Sequence, residues 1–186
     1  SEMIAWPLTK LMCSPNVDGA AAVIVVSAKK ARELGMGRVV RIRGSSLVSD
    51  PYERRSPEMF DPNTVTRLAA SKAYEMAGIG PEDLDMVELH DCFATAELLH
   101  YENLGLCTEG EAVRIIDSGE TALGGRLPVN VSGGLLAKDH PIGATGMANI
   151  VEVVHHLRGE AGTRQVGGAR IGLTHVLGFA SVAASS

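Results

Sequence analysis

Basic runs, long apolar stretches and paired cysteines are all missing from this 186-residue sequence. Its 17 Lys and Arg against 22 Asp and Glu leave a net charge of −5, with no patch suited to neutralising a phosphate backbone. A nucleic-acid partner is therefore not expected. No apolar run approaches the roughly 20 residues of a membrane span. The three cysteines, Cys13, Cys92 and Cys107, form no CxxC pair. That argues against both a disulfide framework and a structural zinc site, and it fits a reducing compartment. Ser1 to Lys10 lacks the pattern of a signal peptide, and the last residues give no SKL-type address, so a cytoplasmic location is expected. Aromatic residues are only 4% of the chain. With 21 glycines, the core must be built from small and aliphatic side chains joined by tight turns.

What is present is ordinary globular composition, 45% hydrophobic and 21% charged. The length allows one large domain, or one domain plus part of another. The opening segment to Gly19 reads as an irregular loop. Ala20 to Val26 is an unbroken apolar run, as expected of a strand buried on both faces. Ser27 can cap a short helix ended by Gly35, and Val39 to Val48 reads as a strand. Asp50 to Pro62 is polar, Pro-rich and loop-like. Asp61-Pro62 then opens a helix that Gly78 ends. Leu84 to Leu89 is a strand and Phe93 to Leu104 a helix. Val129 to Ser132 is a short strand, and a helix runs from near Pro141 to Gly159. Ala169 to Ala184 reads as two strands joined near Leu177-Gly178. This alternation predicts an α/β fold, a mixed and mainly parallel sheet with helices on both faces.

Ligands of open α/β sheets bind beyond the carboxyl ends of strands. His90 follows a predicted strand, His140 precedes a predicted helix, and His175 lies in the terminal strand pair. A helix N-terminus opposes protonation of His140, leaving a neutral imidazole that can act as base or oxyanion donor. His100, His155 and His156 fall within helices and read as structural or solvated. The segment from Asn130 to Gly146 (NVSGGLLAKDHPIGATG) lets backbone approach a ligand closely, but it forms neither GxGxxG nor a P-loop.

That segment resembles the GHP-containing signature of thiolases, which make and cleave 3-ketoacyl-CoA. His90-Asp91-Cys92-Phe93, followed by Ala96-Glu97-Leu98 and Tyr101-Glu102-x-Leu104-Gly105-Leu106-Cys107, is similar to the sterol-carrier-protein type, in which HDCF replaces NEAF. The tail from Leu157 to Val166, then His175-Val176-Leu177-Gly178, agrees. The resemblance implies that residues 61–186 are a thiolase C-terminal domain and that residues 1–60 are the closing loop, strands and helix of a preceding N-terminal domain. It implies roles for His90 in an oxyanion hole, His140 as activator of a nucleophilic cysteine, and His175 as acid/base at the carbon alpha to the thioester. Backbone N–H groups at Leu177 and Gly178 would serve a second oxyanion hole, and Ser132, Gly133 and Gly134 would meet coenzyme A. Each oxyanion donor is worth about 3–4 kcal/mol of barrier. No metal or cofactor is implied, only a coenzyme A thioester as substrate. The implied partners are an N-terminal thiolase half, a second copy in a homodimer and a possible small partner subunit.

Two departures stand out. None of the three cysteines matches the family nucleophile, which belongs to the upstream half, so this chain alone is expected to be inactive. Asp139 replaces the Gly that usually precedes the signature His-Pro, and its carboxylate is expected to raise the pKa of His140. Arg41, Arg43, Arg54, Arg55 and Lys138 are candidate cations for the coenzyme A phosphates. Besides a thiolase of lipid metabolism, the sequence admits a retro-aldol lyase on steroid side-chain CoA thioesters, or a degenerate CoA-thioester-binding scaffold. The intact His90 favours the thiolase.

Overall fold

A computed structural model describes residues 1–49, 63–178 and 182–185. The chain opens with a small antiparallel hairpin, β1 (Met3–Ala5) and β2 (Leu8–Thr9). Helix α1 (Ala28–Glu33) starts as its sequence predicts, with the Ser27 hydroxyl accepting the Lys30 N–H at 3.1 Å. Between them, Ala20 to Val26 is not a strand. It has no ladder partner among the described residues, and Ile24 is 92% exposed. An apolar sequence becomes a strand only where a neighbour takes its backbone hydrogen bonds. The strand expected over Val39 to Val48 shortens for the same reason to β3 (Ser46–Ser49), the part that finds a partner.

The regular part follows. Helix α2 (Asn63–Ala77) ends at Gly78; its predicted start at Asp61-Pro62, the loop before it and the boundary near residue 60 lie outside the described residues. Then come β4 (Met86–Glu88), α3 (Ala94–Asn103), α4 (Ala112–Asp117), α5 (Gly134–Lys138) and α6 (Thr145–Arg158). The chain closes with β5 (Gly172–Gly178) and β6 (Val182–Ser185). Val129 to Ser132 contributes one parallel bridge, Val129 to Val87, rather than a full strand.

The main sheet has the order β3-β6-β5-β4. It is mixed, as expected, but its parallel share is smaller: β4–β5 is parallel, while β5–β6 and β3–β6 are antiparallel. The short step from Gly178 to Val182 explains the β5–β6 pairing, because parallel neighbours need a long crossover.

Side-chain alternation along β5 shows helices on both faces. Gly172 and Val176 meet Val153 and Gly146 of α6. Leu177 packs against Val65 and Ala69 of α2, and His175 touches Thr66 of α2. Gly172 has a spatial reason: a Cβ there would press into the Val153 methyl group at 2.6 Å. The largest core cluster joins Val87, Leu89, Tyr101, Leu104, Ile115 and Leu173 among others, aliphatic apart from its tyrosines.

Candidate active site

His90 emerges two residues after β4, at the carboxyl end of the strand, and its ring is 6% exposed. His140 meets it edge-on, with ring centroids 5.0 Å apart and planes at 79°. Burial pushes His90 down to about 4, with the neighbouring His140 adding to the effect. Burial disfavours the charged form of each ring, and a charge on His140 opposes one on His90.

The orientation of His140 is fixed locally. The Thr145 hydroxyl donates to the Pro141 carbonyl at 3.1 Å, so its lone pairs face the His140 Nδ1 at 2.7 Å. With the hydroxyl proton directed at Pro141, Nδ1 donates to Thr145 and Nε2 is left as the acceptor, the tautomer a general base needs. Helix α6 begins at Thr145, one turn later than predicted, so the helix dipole is not what lowers His140. Desolvation lowers it, and the carboxylate that opposes this is Asp91 rather than Asp139. Asp139 instead carries backbone strain, with φ at 66° in a non-glycine residue.

His175, on β5, is fully buried and held well below its ordinary value by burial, then by His100 and His90. Its Nε2 lies 3.3 Å from the Thr66 hydroxyl. His100 of α3 packs against it, ring centroids 4.4 Å apart. The sequence reads His100 as structural or solvated; it is buried rather than solvated. The signal was its place beside Tyr101 and four residues before Leu104, on the buried face of α3. His100 is 1% exposed and pushed down to about 3 by burial, then by His90. Of the sequence-predicted trio, His90 and His140 meet, while His175 packs against His100 and Thr66. By contrast, His156 is structural, accepting the Val166 N–H and pairing with Glu152, while His155 is half-buried on the same helix.

Between the histidine loops lies α5. Asp91 accepts the Leu135 N–H at 2.7 Å, and a Cβ on Gly134 would collide with that carboxylate, so Gly134 is a packing requirement. Ser132 donates to Glu88 through its N–H at 3.1 Å and its hydroxyl at 2.6 Å. Of the three residues expected to meet coenzyme A, only Gly133 is exposed. Leu177 and Gly178 stand in the β5–β6 ladder opposite Ala183 and Val182. Arg41 is exposed, and Arg43 is engaged with the Ala77 carbonyl at 2.6 Å; Arg54 and Arg55 lie outside the described residues.

The thiols lack the signature of a nucleophile. Burial pushes Cys92 and Cys107 up, the reverse of an activated thiolate, and all three cysteines are half-buried and free. The described residues contain no cluster of three or more His, Cys, Asp or Glu able to hold a metal ion. None of their helices is long and apolar enough to cross a membrane.

The thiolase C-terminal domain-like family matches residues 51–186. The chain belongs to the thiolase family. Among curated thiolase-related proteins, it is 46% identical over 180 residues to rat (Rattus norvegicus) sterol carrier protein 2, covering 95% of this chain and 33% of that protein. It is 47% identical over 181 residues to an acetyl-CoA acetyltransferase of Methanothermobacter thermautotrophicus, covering 96% of this chain and 46% of the relative. The benzoylsuccinyl-CoA thiolase subunit BbsB of Thauera aromatica is 42% identical, with 96% and 46% covered. Among solved structures, the Ltp2-ChsH2(DUF35) aldolase superposes with a TM-score of 0.80 at 27% identity, over the whole of this chain and 48% of that one. The chain therefore spans between a third and a half of the proteins it matches.

Proposed function

We propose that this chain supplies the histidine-bearing half of an acyl-CoA thiolase and that an upstream half supplies the nucleophilic cysteine. The observation that carries the reading is the seat of His140, whose Nδ1 lies 2.7 Å from the Thr145 hydroxyl. With Nδ1 bonded to Thr145, Nε2 is poised to take a thiol proton, and burial keeps the ring neutral. Thiolysis of a 3-ketoacyl-CoA, or its reverse Claisen condensation, then needs a base for the Cα proton and donors for two oxyanions. His175 is buried and neutral, as a proton acceptor should be, and His90 beside His140 can hold the thioester oxygen. The Leu177 and Gly178 backbone would complete the second oxyanion hole, with Ser132, Gly133 and Gly134 shaping the loop against coenzyme A. In this reading residues 1–60 belong to the preceding domain, whose remainder covers the exposed Ile24 and Val25, and the enzyme works in the cytoplasm as a homodimer.

The likeness to an aldolase supports a second reading, retro-aldol cleavage of a steroid side-chain CoA thioester with a small partner subunit. The two readings separate in one assay. The chain joined to its upstream half is incubated with coenzyme A and short, long or steroid-side-chain 3-ketoacyl-CoA, and separately with 3-hydroxyacyl-CoA. Two acyl-CoA products from the ketone support the thiolase; a carbonyl fragment released from the hydroxyacyl thioester without coenzyme A supports the lyase. The 186-residue chain alone is expected to form no acetyl-enzyme with acetyl-CoA, read as an unchanged mass.

A further inference from the structure

Lys138 closes α5 two residues before His140, and Glu88 closes β4 two residues before His90. Glu88 is fully buried, an uncommon position for a carboxylate that burial disfavours as an anion. Its partners are Ser132, through both N–H and hydroxyl, and the Lys138 ammonium at 3.4 Å. Lys138 also donates to the Ser132 hydroxyl at 2.8 Å and to the Asn149 side-chain oxygen of α6 at 3.2 Å. All three of its donors are therefore occupied inside the fold. It is not the free cation a coenzyme A phosphate requires.

We infer that Lys138 and Glu88 act as a positioning pair that sets the contact between His90 and His140. The geometry is nearly symmetrical. Each histidine stands two residues beyond one member of the ion pair, and the two segments are tied together at that point. Asp91, next to His90, ties the other end of α5 through the Leu135 N–H. The helix is thus clamped at both ends to the strand–loop that carries His90, and it cannot shift without changing the 5.0 Å spacing of the rings. Removing the cation leaves a buried carboxylate with only hydroxyl and amide donors, so the loop must open to let water reach it. A displacement of about 1 Å between positioned catalytic groups costs on the order of 100-fold in rate.

The inference rests on the thiolase reading for its kinetic consequence, but the spacing of the rings is measurable without turnover. The test uses the protein joined to its upstream half, with Lys138→Met, Glu88→Gln and the double variant. Lys138→Met is expected to lower kcat for 3-ketoacyl-CoA thiolysis by about 10- to 100-fold with KM within about twofold of wild type. Adding Glu88→Gln, which removes the stranded charge and keeps an acceptor for Ser132, should recover most of that loss. In parallel, NMR of the histidine ring protons should show a His90–His140 cross-peak that weakens in Lys138→Met and returns in the double variant. Should Lys138→Met fail to fold, Lys138→Gln, uncharged but still a donor, is read in the same way. A rise in KM with kcat unchanged would overturn the inference in favour of phosphate binding. So would an unaltered ring cross-peak. If the wild type turns over no thiolase substrate, the thiolase reading fails, and the cross-peak alone still decides whether the pair positions the rings.

Discussion

The two ends of this chain obey different rules of burial. From Val65 to Gly178 a buried core forms and even histidines are driven inside, as His100, His156 and His175 show, although Met76, Val113 and Ile142 stay 61%, 56% and 65% exposed. Across residues 1–49, among the described side chains, only Ala31, Ser46 and Val48 are buried, while Ile24, Leu11 and Trp6 are 92%, 79% and 87% exposed. Exposed apolar surface on this scale marks a face meant for contact. The later region holds the main core cluster; the earlier one leaves most of its large apolar side chains exposed.

The contrast can be broken or sharpened by experiment. The largest expected effect is in the completed enzyme, where His175→Ala should cut thiolysis by about 1000-fold, within the usual range for a general acid–base group. Turnover unchanged by that variant would favour the scaffold alternative. Next, Leu89→Ala should cost about 2–5 kcal/mol of unfolding free energy in urea melts, because Leu89 is fully buried in the main cluster. Ile24→Ala in the same chain should change it by less than about 0.5 kcal/mol. Equal effects would erase the distinction between the two regions. Thr145→Val removes the acceptor that fixes the His140 tautomer, and kcat should fall about 10-fold with little change in KM. Smaller again, Asp139→Gly should stabilise the chain by about 1 kcal/mol by relieving its positive φ, read as a higher urea midpoint.

The subtlest effect is on pH. His90 and His100 are held at about 4 and about 3 in the folded state, against 6.5 for an exposed imidazole. Between those values the unfolded chain binds protons that the folded one refuses. Their contribution to stability is therefore present above pH 6.5 and lost as pH falls toward 4 and below. Glu97, raised to about 7 by burial, acts oppositely: its contribution is present below pH 4.5 and lost as pH rises toward 7. His100→Gln should flatten the acid fall of the urea midpoint by one proton's worth. An unchanged slope would show that His100 titrates normally.

Much of the later region was legible in its sequence. On α2, Val65, Ala69 and Ala73 are buried as the helical spacing predicts, while Leu68 and Met76 on the same spacing are 39% and 61% exposed. His90 follows a strand and His175 lies on one, as expected, but the helix after His140 starts a turn late. What escaped was decided by partners far along the chain. Ala20 to Val26 has the composition of a buried strand and no neighbour here to pair with. His100 looked structural because nothing local announces His175, 75 residues away. Lys138 looked like a surface cation because Glu88, 50 residues earlier, does not declare that it is buried. Pattern reports which face is apolar; it cannot report which distant side chain waits there.

The opening segment holds one more consequence. The Ser14 N–H donates to the Cys92 carbonyl and the His140 N–H to the Pro15 carbonyl, each at 2.9 Å, with Cys13 bridged to Phe93 and Asn16 to His140. Residues 13–16 are therefore stitched to both histidine loops, although the sequence assigns them to the other side of a boundary near residue 60. Anyone cutting this protein into two complementing pieces at that boundary would unpick the stitch and leave Cys92 and His140 with bare backbone groups. The usable seam lies upstream of Cys13, where a severed end would leave the two histidine loops sewn together.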